Sequence, residues 1–265
     1  MIAEEERQSR SRVSVRFVFD VHHDVPGIVQ LALEDAEAIE ISFDGQEVPS
    51  YVTGWWVDED IQTVRLPSLK RGSHTLQLIY DFSIVTNVER AYLLGDFGVE
   101  IRGARASITP LEFSQITFGD YTSQGLPFYA GNVTYNCTFD TQGAGPAAVQ
   151  VTRFASPVLS ITCDGKEAGH IAYEPHMIVF EHLEEGQHAI SITSFGNRAN
   201  DFGMVHLPRG LTNWYGPSAW RTDYDWWTKE YNLVQMGVLE TPRIKKPGTE
   251  KPTGRLGYRL ELKAI

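Results

Sequence analysis

A chain of 265 residues with 42% hydrophobic and 22% charged residues has ordinary globular composition, long enough for one large domain or two medium ones. Its net charge of −11 repels phosphate backbones, which removes nucleic acid from the expected partners. No apolar run approaches the roughly 18 residues a membrane helix needs, and residues 1–7 lack the basic start and apolar core of a signal peptide, so the chain reads as cytoplasmic or as a fragment of a larger, exported polypeptide.

In chain order, residues 1–12 are charged and unpatterned, and read as a flexible tail. Strand signals begin at 13–19, where Val13, Val15, Phe17 and Phe19 alternate with other residues. Val29, Leu31 and Leu33 continue the pattern, then Ile39, Ile41 and Phe43 lead up to an Asp44-Gly45 turn. Further strands are expected at 64–67, 76–80 and 97–101. After a soft junction between 103 and 125, a second series opens at 128–135 and continues through 148–154, 158–163, 177–180 and 189–193. Residues 201–227 form an irregular aromatic stretch, 231–234 close the unit, and 244–254 form a Lys/Pro/Gly linker. The tail at 256–262 alternates cleanly and is expected at a sheet edge. Helical periodicity is confined to short candidates at 25–30 and 183–186.

The chain repeats itself. Ile41-Ser42-Phe43-Asp44-Gly45 is echoed by Ile161-Thr162-Cys163-Asp164-Gly165, and Gly72-Ser73-His74-Thr75-Leu76 by Gly186-Gln187-His188-Ala189-Ile190. Each echo is a strand, a tight Asp-Gly turn, an interval, and a Gly-led alternating strand. The copies lie about 120 residues apart, far beyond the roughly 20–50 residues of a solenoid repeat. This predicts an all-β chain of two tandem β-sandwich, jelly-roll-like domains, 13–110 and 111–244, with 245–265 as linker and terminal edge strand. Cys137 and Cys163 both fall at strand positions, Cys137 in phase with Val133, Tyr135 and Phe139. Buried free thiols are the expectation and a disulfide between facing strands the alternative.

The second module also carries a resemblance. Tyr129-Ala130-Gly131-Asn132-Val133-Thr134-Tyr135, Cys163-Asp164-Gly165-Lys166, Gly169, Ile171, Glu174-Pro175, 183–190 and Asn197 resemble the sugar-binding, galactose-binding-like β-sandwich of glycoside hydrolase family 2. Gly54-Trp55-Trp56-Val57-Asp58, 92–99, Gly119-Asp120 and 124–129 are similar to the C-terminal region of large bacterial α-L-rhamnosidase-like glycosidases. The resemblance implies a non-catalytic accessory region, with a plant or microbial polysaccharide or oligosaccharide and a catalytic domain of the same polypeptide as partners. A glycosidase using a carboxylate pair between the modules, and a structural spacer packed on a catalytic domain, are the alternatives.

Chemically, the densest signal is aromatic: Trp214, Tyr215, Trp220, Trp226 and Trp227 lie within about fifteen residues. An indole face packs on the C–H face of a sugar, and Asn213, Arg221, Asp223 and Asp225 are polar neighbours suited to hydroxyls; the alternative is that the stretch covers the sandwich's flank or an interdomain seam, with Trp226 or Trp227 in the core. Trp55 and Asp58 form a second candidate shelf, where alternation sends one of Trp55 and Trp56 inward. The other reading of this cluster, and the preferred one from sequence, is a turn with solvated acids. Its carboxylates 58–60 offer oxygen ligands for structural calcium, without the Gly and final Glu of an EF-hand loop. His22-His23-Asp24 reads as a solvated loop cluster, with a metal or acid/base role as the alternative. No Cys/His spacing resembles a zinc site, no catalytic residue is marked out, and no cofactor is expected.

Overall fold

The computed structural model describes residues 11–112, 116–208, 222–245, 252–254 and 257–263, with backbone only for Tyr224 and the last two segments. The architecture is all β, and the helical turns among the described residues are short 3-10 segments such as Ala36–Ala38 and Tyr121–Gln124. Contacts divide the chain into two compact units: Met1–Glu100 with Ala106–Leu111, and Ile101–Arg105 with Glu112–Ile265.

Ten strands make the first pair of sheets: β1 (Ser11–Val21), β2 (Gln30–Glu34), β3 (Ile39–Phe43), β4 (Gln46–Val48), β5 (Val52–Trp56), β6 (Asp58–Arg65), β7 (Gly72–Phe82), β8 (Tyr92–Leu94), β9 (Gly98–Arg102) and β10 (Arg105–Thr109). One sheet has the order β4-β3-β7-β1-β10-β9, the other β5-β6-β2-β8. Period-2 alternation fixes their faces. Ile39, Ile41 and Phe43 of β3 and Leu76, Leu78 and Tyr80 of β7 are buried in one core with Leu31, Leu33 and Val64 of the facing sheet.

The second unit repeats the plan with β11 (Asn132–Thr141), β12 (Gly145–Gln150), β13 (Phe154–Ala155), β14 (Leu159–Cys163), β15 (Lys166–Ile171), β16 (Met177–Leu183), β17 (Gly186–Ser194), β18 (Gly237–Val238), β19 (Arg243–Lys245), β20 (Pro252–Gly254) and β21 (Gly257–Lys263). Its sheets are β15-β14-β17-β11-β21 and β16-β12-β19-β20, with a small β13-β18 pair. Val133, Tyr135, Cys137 and Phe139 alternate inward along β11, and Ile190 and Ile192 along β17. The run β15-β14-β17-β11 therefore matches β4-β3-β7-β1 strand for strand. In each, the first strand lies antiparallel to the long Gly-led strand, from Ser11↔Phe82 to Val21↔Gly72 and from Val133↔Ser194 to Thr141↔Gly186.

Several expectations are revised. Residues 25–29 are irregular and Gln30 opens β2, while 183–186 run from the end of β16 in one sheet to the start of β17 in the other; neither segment is helical, and Val25 and Val29 are buried without a helical stripe. Residues 231–234, which close the unit, have no regular structure. They are pinned instead by Asn200, whose side chain donates to the Val234 carbonyl and accepts from its N–H, both at 2.9 Å. The predicted linker contributes β19 and β20, and Ile244 is buried opposite Val149. Cys137 and Cys163 are free, buried thiols, and the alternative disulfide is absent.

Candidate functional site

Both Asp-Gly turns have two consecutive residues at positive φ: Asp44 at 50° and Gly45 at 77°, Asp164 at 48° and Gly165 at 75°. This is the type I′ geometry whose twist matches a two-residue hairpin. An Asp in the left-handed region needs compensation, and its carboxylate supplies it. Asp44 Oδ1 accepts from the Thr75 N–H at 2.8 Å and Oδ2 from His74 Nδ1 at 2.7 Å. Asp164 Oδ1 accepts from the Ala189 N–H at 2.9 Å and Oδ2 from His188 Nδ1 at 2.7 Å. Each imidazole also donates from Nε2 to a carbonyl four residues upstream, that of Lys70 or of Glu184.

In each clasp a carboxylate faces one ring nitrogen and a carbonyl the other, an arrangement that favours the protonated imidazole. Burial works against the charge on His74, but the Lys70 carbonyl and the Asp44 carboxylate outweigh it and hold its pKa above 6.5. His188 is raised by Asp164 and the Glu184 carbonyl against the same desolvation. Asp164 is lowered by His188 and the Ala189 amide; Asp44 is lowered too, its burial outweighed by the Thr75 amide and His74. Sequence reasoning missed these clasps, although its echoes contained both partners: the pairs stand 30 and 24 residues apart.

Trp55 and Asp58 lie on the β5–β6 hairpin. Val57, between them, has φ of 69°, a strained conformation for a β-branched residue. The pairing of β5 with β6 is irregular at two points, between Val52 and Gly54 and between Trp55 and Trp56. Such bulges re-aim side chains. Trp56 packs on Tyr92 with ring centroids 4.8 Å apart, and Trp55 stays 58% exposed. Asp58 Oδ1 accepts from the Asp60 N–H at 3.1 Å, so one oxygen of this carboxylate serves the turn itself.

In the second unit Asp223 and Trp226 share one 3-10 turn, in which the Trp226 N–H donates to the Asp223 carbonyl at 3.2 Å. Asp223 and Asp225 are exposed, and Trp226 and Trp227 are 45% and 38% exposed. The turn leans on an aromatic row: Trp227 lies 5.6 Å from His206, His206 4.6 Å from Tyr231, and Tyr231 5.6 Å edge-on to Phe128. The Thr228 N–H donates to the His206 carbonyl at 2.8 Å and fixes the row's register. The remaining candidates, Asn213, Trp214, Tyr215, Trp220 and Arg221, lie outside the described residues.

The His22-His23-Asp24 cluster is structural at Asp24, which accepts from the Lys70 ammonium at 3.0 Å and the Arg71 N–H at 2.8 Å. Among the described residues, Cys163, Asp164 and His188 bring three metal-competent donor atoms within 4.8 Å of one another. Burial and the neighbouring Asp164 push the Cys163 thiol up to about 11.

No family model matches the chain, and no curated protein matches it. Among solved structures it is similar to the apo form of a Pleurotus ostreatus lectin, with 8% identity, TM-score 0.24 and coverage of 70% of this chain and 67% of that one. A lectin from Pleurotus ostreatus in complex with GalNAc gives 9% identity, TM-score 0.25 and coverage of 70% and 68%. A rhamnosidase from Novosphingobium sp. PP1Y gives 14% identity, TM-score 0.31 and coverage of 89% of this chain but 22% of that one. At these scores the similarities carry no argument about chemistry.

Proposed function

We propose that this protein is a non-catalytic carbohydrate-binding β-sandwich protein, the accessory portion of a glycoside hydrolase of the rhamnosidase-like kind. The observation that carries the reading is Trp55: a largely exposed indole held on a bulged, strained hairpin while its neighbour Trp56 anchors the turn on Tyr92. A flat apolar ring fixed beside Asp58, Glu59 and Asp60 offers stacking for a sugar face and acceptors for its hydroxyls. Trp226 with Asp223, fixed by the aromatic row, offers the same chemistry on the second unit. The residue-level resemblance to accessory regions of such glycosidases supports the assignment. The bound ligand is a plant or microbial oligosaccharide or polysaccharide, taken up reversibly and without a covalent step.

The test is a glycan array on the full chain, followed by calorimetric titration of each hit against Trp55→Ala and Trp226→Ala. Binding that weakens about tenfold in either variant, with melting unchanged, supports the reading. An array without a hit, or affinity indifferent to both substitutions, overturns it.

A further inference from the structure

We propose that Cys163, Asp164 and His188 form a binding site for one thiophilic divalent cation of the zinc type. The two sandwiches provide an internal comparison. Each has the same Asp–His clasp at the same turn, so the clasp by itself belongs to the fold. Each also has a phenylalanine of its first strand across from the histidine, Phe19 or Phe139, with ring centroids 6.0 and 5.5 Å away. They differ at the residue before the aspartate. In the first sandwich it is Phe43, stacked on His74 at 5.2 Å. In the second it is Cys163, whose sulfur joins the carboxylate and the imidazole in one cluster.

The donor set suits the cation. Thiolate, imidazole and carboxylate together are a zinc-type combination, and three protein ligands leave a fourth position for water. The Asp164 side chain is 48% exposed, which gives an ion a way in, whereas Cys163 and His188 are buried. His188 is already oriented as metal-ligating histidines are: Nε2–H donates to the Glu184 carbonyl at 2.9 Å, leaving Nδ1 directed at the cluster. Tetrahedral metal–sulfur and metal–nitrogen bonds place ligand atoms about 3.3–3.8 Å apart. Accommodating an ion therefore requires the widest spacing to close by about 1 Å and the Asp164 Oδ2–His188 Nδ1 pair, now at 2.7 Å, to open by about 0.6 Å.

Charge also balances. Counted as an aspartate, an imidazolium favoured by that aspartate and a thiol kept protonated by burial, the cluster without an ion is neutral overall. Binding one divalent cation displaces the Nδ1 proton and the sulfur proton to solvent. The product, a dication with one thiolate, one carboxylate and one neutral imidazole, is again neutral, as a largely buried site requires.

The test is titration of chelator-treated full-length protein with Co2+, read by the near-ultraviolet sulfur-to-cobalt charge-transfer band and the visible bands of tetrahedral cobalt. One equivalent should generate both, and Zn2+ should abolish them by competition. Cys163→Ala and Cys163→Ser should lose the charge-transfer band, whereas Cys137→Ala, which removes the other buried thiol, should retain it. As a second measurement, one equivalent of Zn2+ should raise the melting temperature of the unaltered protein. No stoichiometric band and no such rise, or a band that survives loss of Cys163, overturns the proposal.

Discussion

Asp44 and Asp164 stand at the same point of two separate sandwiches: each is the first residue of a type I′ turn, and each receives one backbone N–H and one imidazole nitrogen from the neighbouring long strand. The carboxylate thus ties a hairpin tip to the sheet interior, doing for the turn what a side-chain cap does for a helix.

Stability should depend on pH through these clasps. The histidine contribution is fully present below the unfolded value near 6.5 and is lost as pH rises through the elevated folded value. The aspartate contribution is present above 3.8 and is lost as pH falls through the depressed folded value. For chelator-treated protein, His74→Gln should therefore cost most below pH 6.5 and progressively less as pH rises above 6.5 through the raised folded value. With Asp44 43% exposed, the cost at its maximum should be about 1–2 kcal/mol. Denaturant midpoints across the pH range read this directly, and a pH-independent cost refutes it.

Trp55→Ala and Trp56→Ala should separate binding from folding. Loss of the exposed Trp55 ring should change stability by no more than about 0.5 kcal/mol and weaken glycan binding. Loss of Trp56, which packs on Tyr92, should destabilise by about 1–3 kcal/mol. Equal stability losses in both would place Trp55 in the packing of the sheet.

Gly237 should tolerate no side chain. Its φ is +101°, and a Cβ there would lie 2.7 Å from both Tyr121 Cδ1 and Tyr135 Oη. Gly237→Ala should cost about 2–4 kcal/mol by thermal or chemical unfolding. Tyr135→Phe, which removes the acceptor of the Val238 N–H at 3.3 Å, should cost about 1–3 kcal/mol.

The isolated chain should not hydrolyse glycosides. Incubation with a panel of aryl glycosides and oligosaccharides should release no product above a buffer control. Turnover abolished by a single Asp or Glu substitution would make the protein an enzyme and end the accessory reading.

The sandwich strands were legible because one buried face stamps a period of two on the sequence, as in Ile39, Ile41 and Phe43 or Ile190 and Ile192. Short pieces held by single polar side chains were not: Asn200 fixes 231–234 without any apolar pattern, and Ile244 is buried beside an otherwise linker-like composition. At the candidate sites, alternation gave that one of Trp55 and Trp56 turns outward, but which one depends on the bulges and on Val57. The Cys163–Asp164–His188 cluster was hidden for a different reason. Two of its members are adjacent in sequence and the third comes from a distant strand, so no linear spacing marks it.

In both sandwiches the opening strand is flanked by late partners: β1 by β7 and then β10, β11 by β17 and then β21. The longest ladders consequently join segments some 50 to 70 residues apart in the chain, such as Ser11↔Phe82 and Val133↔Ser194. Loop closure must be completed before most of the stabilising contacts exist, which places each module in the slow, high-contact-order class of folders, with times of milliseconds to seconds. During synthesis, β1 waits with an unsatisfied edge until β7 has emerged. On its outer face Arg12, Ser14, Arg16 and Asp20 are charged or polar and Val18 alone is apolar, a composition that disfavours premature edge association.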